Sequence, residues 1–383
     1  MATAGDDFKF HDEWGPEHIV KVYDAAIGLR GILVVDNTAL GPGKGGIRMT
    51  PNVTEEEVFR LARTMTWKNA LAGIPFGGAK AGIQANPKTP EEKKSLMQAF
   101  ARAIKIFTPK KYIAGPDVNT GEREMQWFVE ATGNWRSATG KPANYCMTVF
   151  GKKGEKCGIP HEFGSTGFGV AEATRVAAEV ADIDLKGATV AIHGFGNVGT
   201  FAYEYLSAMG ATVVALADKG GAIWSEKGFD KRKMREFISG QKELSGFPRA
   251  EKISPEKFWA SPVDILIPAS VTDVINASNK DSIKAKIIVE AGNIPMRESI
   301  ERELAKKGIL IVPDFVANAG GVISSYAEYR GYNPKQMFEL VGRKITKTAK
   351  DVLTKAVKAG TNPREVAMEI AIEKVKNVKR KQR

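Results

Sequence analysis

Cysteine is almost missing from this chain: only Cys146 and Cys157 occur among 383 residues. Two thiols can pair with each other, but so few give no disulfide framework and suit a reducing cytoplasm. Histidine is scarce too, and His11, His18, His161 and His193 are scattered along the sequence. With no Cys-x-x-Cys pair to join them, no metal site is expected. No apolar run is long enough to cross a bilayer, so no membrane association is expected. The opening Met1–Asp7 is acidic and has no apolar stretch, so no secretory signal is expected either. There is no fixed-period repeat and no low-complexity segment.

What is present fits a globular protein. Hydrophobic residues make up 43% and charged residues 26%, so disorder is not the default reading. A length of 383 residues is too great for one ordinary core and points to two domains. The formal charge of +12 fits a nucleic-acid binder or an enzyme for dianionic substrates and cofactors. The lysines are spread out, with no aromatic-interleaved basic motif of the kind that stacks bases, so no nucleic-acid partner is expected. The densest basic run, Lys374 to Arg383, reads as a solvated helix end.

The first part of the chain reads as mixed α/β. Ile32–Val35 is strand-like. Thr54-Glu55-Glu56-Glu57 and Thr89-Pro90-Glu91-Glu92 are capping boxes, each opening a helix. Between those helices Pro75 to Gly82 reads as a glycine-rich loop. From about Asn144 to Gly164 periodicity is lost, and the interdomain connection is expected there. Strands and helices then alternate. Strands are expected at Ala188–His193, Thr212–Ala217, Val263–Ile267, Lys286–Glu290 and Ile309–Val312, and a helix from Val198 to Met209 that stops at Gly210. Continuous apolar strands separated by helices imply a parallel sheet buried on both faces. The expected fold is thus a two-domain α/β protein. Residues 1–160 form an N-terminal substrate domain, 161–325 a doubly wound Rossmann-type domain, and helices in 326–383 pack back on the first.

Gly194-Phe195-Gly196-Asn197-Val198-Gly199 is a Gly-x-Gly-x-x-Gly turn between strand and helix. Gly194 permits the tight turn, Gly196 lets the backbone approach a pyrophosphate, and Gly199 lets helix and strand pack closely. The helix N-terminus then offers free N–H groups to phosphates. Asp218 lies 24 residues (218 − 194) after the first glycine, which suits a carboxylate bonding the adenosine ribose. The alternative is a glycine-rich turn in an unrelated α/β domain. Asp218 favours NAD, whereas Lys219 offers a charge for the 2′-phosphate of NADP, so both cofactors stay open.

Three lysines stand out by context. Lys44 and Lys80 lie in glycine-rich segments, and Lys68 sits in an apolar helix stretch beside Trp67. Neither glycine segment is a P-loop, because no Ser or Thr follows the lysine. Clustered, partly desolvated ammonium groups lower one another's pKa, so one can act as a base while others hold carboxylates. Asp117, in Gly115-Pro116-Asp117-Val118-Asn119, is a candidate partner acid, or else a turn residue or helix cap.

The segments "GPGKGGIRM", "MTWKNALAGIPFGGAKAG", "PDVNTGEREM", "TGKP", "HGFGNVG", "IIVEAGN" and "VPDFVANAGGV" follow one another in an order that resembles the glutamate/leucine/phenylalanine/valine dehydrogenases. The resemblance runs from about Asp36 to beyond Tyr326. It implies that Lys80 activates the water that attacks an imino intermediate, and that Asp117 shuttles a proton to and from the departing ammonia. Lys68 would hold the substrate α-carboxylate. Lys44 would hold a distal carboxylate, with Ser325 and Val322 completing the substrate pocket. Thr166 and Asn293 would sit by the nicotinamide end of NAD or NADP, with Asn318 a further cofactor-binding residue. Glutamate, 2-oxoglutarate and ammonium are the implied substrates, with the active site in the cleft between domains of a homo-oligomer, most often a hexamer. The chain departs from the glutamate branch at Glu162, where that branch usually has arginine, and "DNTALGP" and "YRGYN" resemble the leucine branch. A branched-chain or aromatic amino-acid dehydrogenase is therefore the near alternative. A catalytically silent dinucleotide-binding regulator is the alternative of another class.

Overall fold

The computed structural model describes residues 11–149, 152–240, 243–248 and 250–382. The acidic opening and part of the connection after Asn144 lie outside the described residues. The chain divides into two compact units. The first runs to Phe163 and takes in Val322–Met337 and the chain from Ile370. The second comprises Gly164–Gly321 and Phe338–Glu369.

The first unit contains β1 (His18–Asp24), β2 (Leu29–Asn37), β3 (Gly43–Thr50), α1 (Glu55–Leu71), β4 (Gly77–Gln84), α2 (Pro90–Ala103), β5 (Tyr112–Gly115) and α3 (Glu122–Thr132). Its sheet has the order β1-β2-β4-β3-β5. The first two pairings are antiparallel, whereas β3 lies parallel to both β4 and β5. Side chains alternate across each strand. Leu33, Val35 and Ile47 therefore join a core with Phe100 of α2 and Phe128 of α3, while Val34 faces the other way, onto Val58 and Ala62 of α1. Both expected caps form: the Thr54 and Thr89 hydroxyls accept the Glu57 and Glu92 N–H groups, each worth about 1 kcal/mol.

The glycine-rich segments are not loops, contrary to expectation. Residues 77–82 lie in β4 and Lys44 lies in β3. The glycines are there because the backbone is crowded. A Cβ at Gly45 would stand 1.6 Å from the Ala79 carbonyl oxygen, and one at Gly78 2.1 Å from Thr66 Oγ1 of α1. Any side chain at Gly78 would push α1 off the sheet.

The aperiodic connection contains a two-stranded hairpin, β6 (Cys146–Val149) and β7 (Lys152–Cys157), closed by a Cys146–Cys157 disulfide. This pairing runs against the reducing compartment that so low a cysteine count suggests.

The second unit contains α4 (Ser165–Val180), β8 (Thr189–His193), α5 (Asn197–Ala208), β9 (Thr212–Asp218), β10 (Gly221–Trp224), α6 (Lys231–Ser239), β11 (Glu251–Ile253), α7 (Pro255–Trp259), β12 (Ile265–Pro268), β13 (Ile287–Val289), α8 (Glu298–Lys306), β14 (Leu310–Val312) and α9 (Asp314–Ala317). After it come α10 (Gly320–Arg330), α11 (Pro334–Ala359) and α12 (Pro363–Gln382). The sheet order is β11-β10-β9-β8-β12-β13-β14. The strands from β9 to β14 are parallel, and β10 and β11 extend one edge antiparallel. The chain runs outward from β8 in one direction and restarts on its other side at β12. That switch point is where doubly wound sheets bind dinucleotides.

The C-terminal helices do not all return to the first unit, as the sequence led us to expect. Phe338 packs on Phe168 and Tyr205. Thr346 bonds Glu172, and Lys350 pairs with Glu179. Arg364 meets Glu290 at 2.5 Å, Glu301 at 2.6 Å and Asp314 at 3.0 Å. These contacts bind 338–369 to the second unit. The basic tail is also more than a solvated end: Lys374 Nζ donates to the Leu71 carbonyl at the end of α1, 3.1 Å away.

Candidate active site

Parallel pairing of β3 with β4 and β5 brings the lysines and the acid together. Lys44 lies opposite Gly78 on one side and Ile113 on the other, and Gly46 lies opposite Gly115. The chain leaves β5 through Pro116 and turns at Asp117. The Asp117 N–H donates to Thr120 Oγ1, and that hydroxyl donates to the Ile47 carbonyl. Asp117 is therefore a turn residue, but its side chain is engaged elsewhere. Lys80 Nζ stands 2.9 Å from Asp117 Oδ2, and Arg48 Nε 3.1 Å from the same oxygen. Burial pushes the Asp117 carboxyl up, yet Lys80 and Arg48 outweigh it and hold the group below the ordinary carboxylate range. Asp117 is thus anionic near neutral pH, poised to accept a proton rather than to give one.

Lys44 carries the perturbation that the clustered lysines led us to expect. It is 4% exposed. Burial and then the neighbouring Lys80 charge bring its pKa down to about 7, with Glu328 opposing and Lys141 adding to the fall. Its ammonium occupies space that a side chain at position 115 would fill: a Cβ on Gly115 would lie 2.3 Å from Nζ and 3.9 Å from Thr139 Oγ1. The Thr139 hydroxyl is buried and has no hydrogen-bond partner among the described residues. A buried hydroxyl in that state is a donor waiting for an oxygen.

Lys141 and Glu328 are both 1% exposed and form an ion pair of 2.5 Å. Lys141 also donates to the Ala138 carbonyl and lies over the Trp135 ring, 4.1 Å from its centroid. Glu328 Oε2 accepts the Gly140 N–H at 2.7 Å and the Ile159 N–H at 2.9 Å, and so ties together the two ends of the hairpin segment. On the same helix, Tyr326 and Tyr329 pack edge-on against Phe76 at 5.6 and 5.4 Å. Val322 and Ser325, one turn apart on α10 and half-buried, precede those anchors. Lys68 is half-buried on the last turn of α1, two residues beyond the Thr66 that packs on Gly78.

In the second unit the expected turn forms between β8 and α5. Gly194 has φ +100°. Gly196 faces open space where a Cβ would be, and a Cβ on Gly199 would lie 1.9 Å from the Gly194 carbonyl oxygen. Phe195 packs against Tyr203, and Asn197 and Val198 form the first turn of α5. Asp218 ends β9 and Lys219 is exposed beside it. Asn318 Nδ2 bonds Asn293 Oδ1 at 3.0 Å, joining the segments after β13 and α9. Thr166 is the second residue of α4, its Oγ1 3.1 Å from where a Cβ on Gly321 would stand. His193 is stacked on Trp259 and bonds Ser270, a packing role.

Sequence reasoning missed Thr139, Lys141, Arg48 and Glu328. The first three sit inside motifs already singled out, but only the strand pairing shows what they touch.

Residues 157–383 match the family model "Glutamate/Leucine/Phenylalanine/Valine dehydrogenase", and residues 16–134 match "Glu/Leu/Phe/Val dehydrogenase, dimerisation domain". The glutamate dehydrogenase of Aeropyrum pernix is 40% identical, over 88% of this chain and 83% of that protein. The NADP-specific glutamate dehydrogenase of Saccharolobus shibatae is 37% identical, over 88% and 82%. Among solved structures, glutamate dehydrogenase from Peptoniphilus asaccharolyticus superposes with TM-score 0.81 at 29% identity, over 96% of this chain and 92% of that one. L-tryptophan dehydrogenase from Nostoc punctiforme superposes with TM-score 0.73 at 28% identity, over 96% and 98%. This chain belongs to the glutamate/leucine/phenylalanine/valine dehydrogenase family.

Proposed function

We propose that the protein catalyses the reversible reaction of L-glutamate, water and NAD or NADP to 2-oxoglutarate, ammonium, the reduced cofactor and a proton. The observation that carries the reading is the Lys80–Asp117 pair at 2.9 Å beside the buried Lys44. The dinucleotide, when its pyrophosphate is bound at the Gly194–Gly199 turn, would supply in its nicotinamide the acceptor for the hydride that leaves the substrate Cα. Thr166, Asn293 and Asn318 line its far end in this reading. Lys68 takes the α-carboxylate. Lys80 orients and deprotonates the water that attacks the imine carbon, and Asp117 carries the proton to the departing ammonia. Lys44 pairs with the distal carboxylate, joined by Ser325 and by the free hydroxyl of Thr139, while Val322 packs on the substrate methylenes. A buried carboxylate needs such partners.

The enzyme is placed in the cytoplasm as a homo-oligomer, with a hexamer favoured. The Thermus thermophilus relative, a hetero-hexameric glutamate dehydrogenase, superposes with TM-score 0.80 at 26% identity. Light scattering on the purified protein tests the assembly. Thiol titration of freshly lysed cells tests whether the Cys146–Cys157 bond exists in that compartment.

Absorbance at about 340 nm with glutamate, leucine, phenylalanine and tryptophan, each with NAD and NADP, tests the substrate. The tryptophan enzyme among the relatives makes an aromatic substrate the second reading. Lys44 argues against it, because a carboxylate neutralises a buried ammonium, whereas an indole or phenyl ring offers only a cation–π contact. The variant Lys44→Leu with Ser325→Val should lose glutamate activity steeply and keep or gain activity on leucine. Full glutamate activity in that variant refutes the assignment of the distal carboxylate.

A further inference from the structure

The end of β9 carries more than the single acid that the dinucleotide motif foresees. Asp218 Oδ1 accepts the Gly220 N–H at 2.7 Å, and its Oδ2 accepts the Leu244 N–H at 2.9 Å. The second bond reaches 26 residues along the chain. It fastens the short helical turn Leu244–Gly246 against the strand end, and Leu244, 2% exposed, fixes that turn by burying its side chain. Glu243 immediately precedes the turn and is exposed. Its side chain lies over Gly220: a Cβ there would be 2.7 Å from Glu243 Cβ and 2.8 Å from Oε2. Two carboxylates therefore flank the Asp218–Gly221 turn, one on the strand and one brought in by the latched segment.

We propose that Glu243, held over Gly220 by the Asp218–Leu244 latch, is a specificity residue that rejects the 2′-phosphate of NADP and makes this chain prefer NAD. The inference rests on the nicotinamide-dehydrogenase reading above and adds the cofactor preference that reading leaves open. The physical basis is plain. A ribose hydroxyl can donate to Asp218, whose oxygens each retain a lone pair after accepting one backbone N–H. A 2′-phosphate brings about two negative charges to the same place. It would meet Asp218 on one side and Glu243 on the other, with Lys219 as the cation adjacent in sequence. Gly220 is the reason that Glu243 can lie there, since any side chain at that position would displace it. Asp218 also positions the wall that carries the second charge, so the two acids act together rather than additively.

Cofactor affinity without substrate tests this, since it does not depend on turnover. NADH and NADPH are titrated into the intact protein by the quenching of its tryptophan fluorescence and by calorimetry, at low and high salt. The wild type is expected to bind NADH more tightly. Glu243→Gln keeps the shape and removes the charge. It should tighten NADPH by about three- to tenfold and leave NADH within twofold, with the gain shrinking as salt screens the site. Glu243→Lys should tighten NADPH further. Asp218→Asn should weaken NADH and also reduce the effect of Glu243→Gln, because the turn that carries residue 243 loses its anchor charge. Equal affinities in the wild type, or a NADH to NADPH ratio unmoved by Glu243→Gln, overturn the proposal while leaving the dehydrogenase reading intact. Failure to bind either cofactor overturns both.

Discussion

Lys44→Met should stabilise the protein, and the gain should depend on pH in a defined way. Lys44 is buried, and its pKa falls from 10.5 to about 7, first through burial and then through Lys80. At 1.36 kcal/mol per pH unit this is a cost of about 5 kcal/mol, as a ceiling, for holding the charged amine in the folded chain. The native state binds fewer protons than the unfolded chain between pH 7 and about 10.5. Wild-type stability from this group therefore rises with pH across that window and is lowest below it. Methionine has similar length and no charge, so it escapes the penalty. The variant's advantage should reach several kcal/mol at pH 6–7 and shrink by about 1.4 kcal/mol per unit above pH 7. Urea unfolding of both proteins at pH 6, 7, 8 and 9 measures it. A variant that is less stable at every pH, or an advantage that grows with pH, refutes the assignment of a destabilised ammonium. Substrate binding gives the buried amine its use. A substrate carboxylate restores the proton to Lys44, so glutamate binding above pH 7 should take up protons. Calorimetry in two buffers of different ionisation enthalpy reads this directly.

Three further outcomes follow from the geometry. Lys80→Ala should reduce turnover by about 10²- to 10⁴-fold and leave NADH affinity nearly unchanged, because Lys80 belongs to the first unit and the dinucleotide turn to the second; wild-type turnover would remove Lys80 from the mechanism. Glu328→Gln leaves Lys141 buried without its counter-charge and should destabilise the first unit by about 3–5 kcal/mol, measured by hydrogen exchange at Gly140 and Ile159, whose N–H groups Glu328 accepts; unchanged protection there would show that the pair is not formed. Arg364→Met strands Glu290, Glu301 and Asp314 together. Burial already pushes Glu290 well above the ordinary range, so the variant's stability should recover as pH falls toward 5, and loss of stability that is independent of pH would rule out the shared guanidinium as the cause.

The parts of the fold legible in the sequence are those set by local chemistry. Thr54 and Thr89 announce helix starts because a hydroxyl and an N–H three residues on must meet. Gly194 and Gly199 announce the strand-to-helix turn because each answers a steric need within six residues, a positive φ at the first and a close carbonyl at the second. Where glycine serves a distant contact the same signal misleads. Gly45 and Gly78 read as loop because nothing nearby in sequence shows that Ala79 and Thr66 crowd them, and β3 and β4 were hidden for that reason. The site divides in the same way. Lys44, Lys80 and Asp117 stand in glycine-rich motifs that expose them to reading, although only the parallel register brings Lys80 within 2.9 Å of Asp117. Lys141 and Glu328 are 187 residues apart (328 − 141) and look like two ordinary surface charges. Glu243 gives no signal at all, since its position depends on a backbone N–H of the next residue finding Asp218 from 26 residues away. Charges whose partners are far along the chain are therefore where sequence reading fails, as with Lys141 and Glu328 and with the Asp218 bond that positions Glu243.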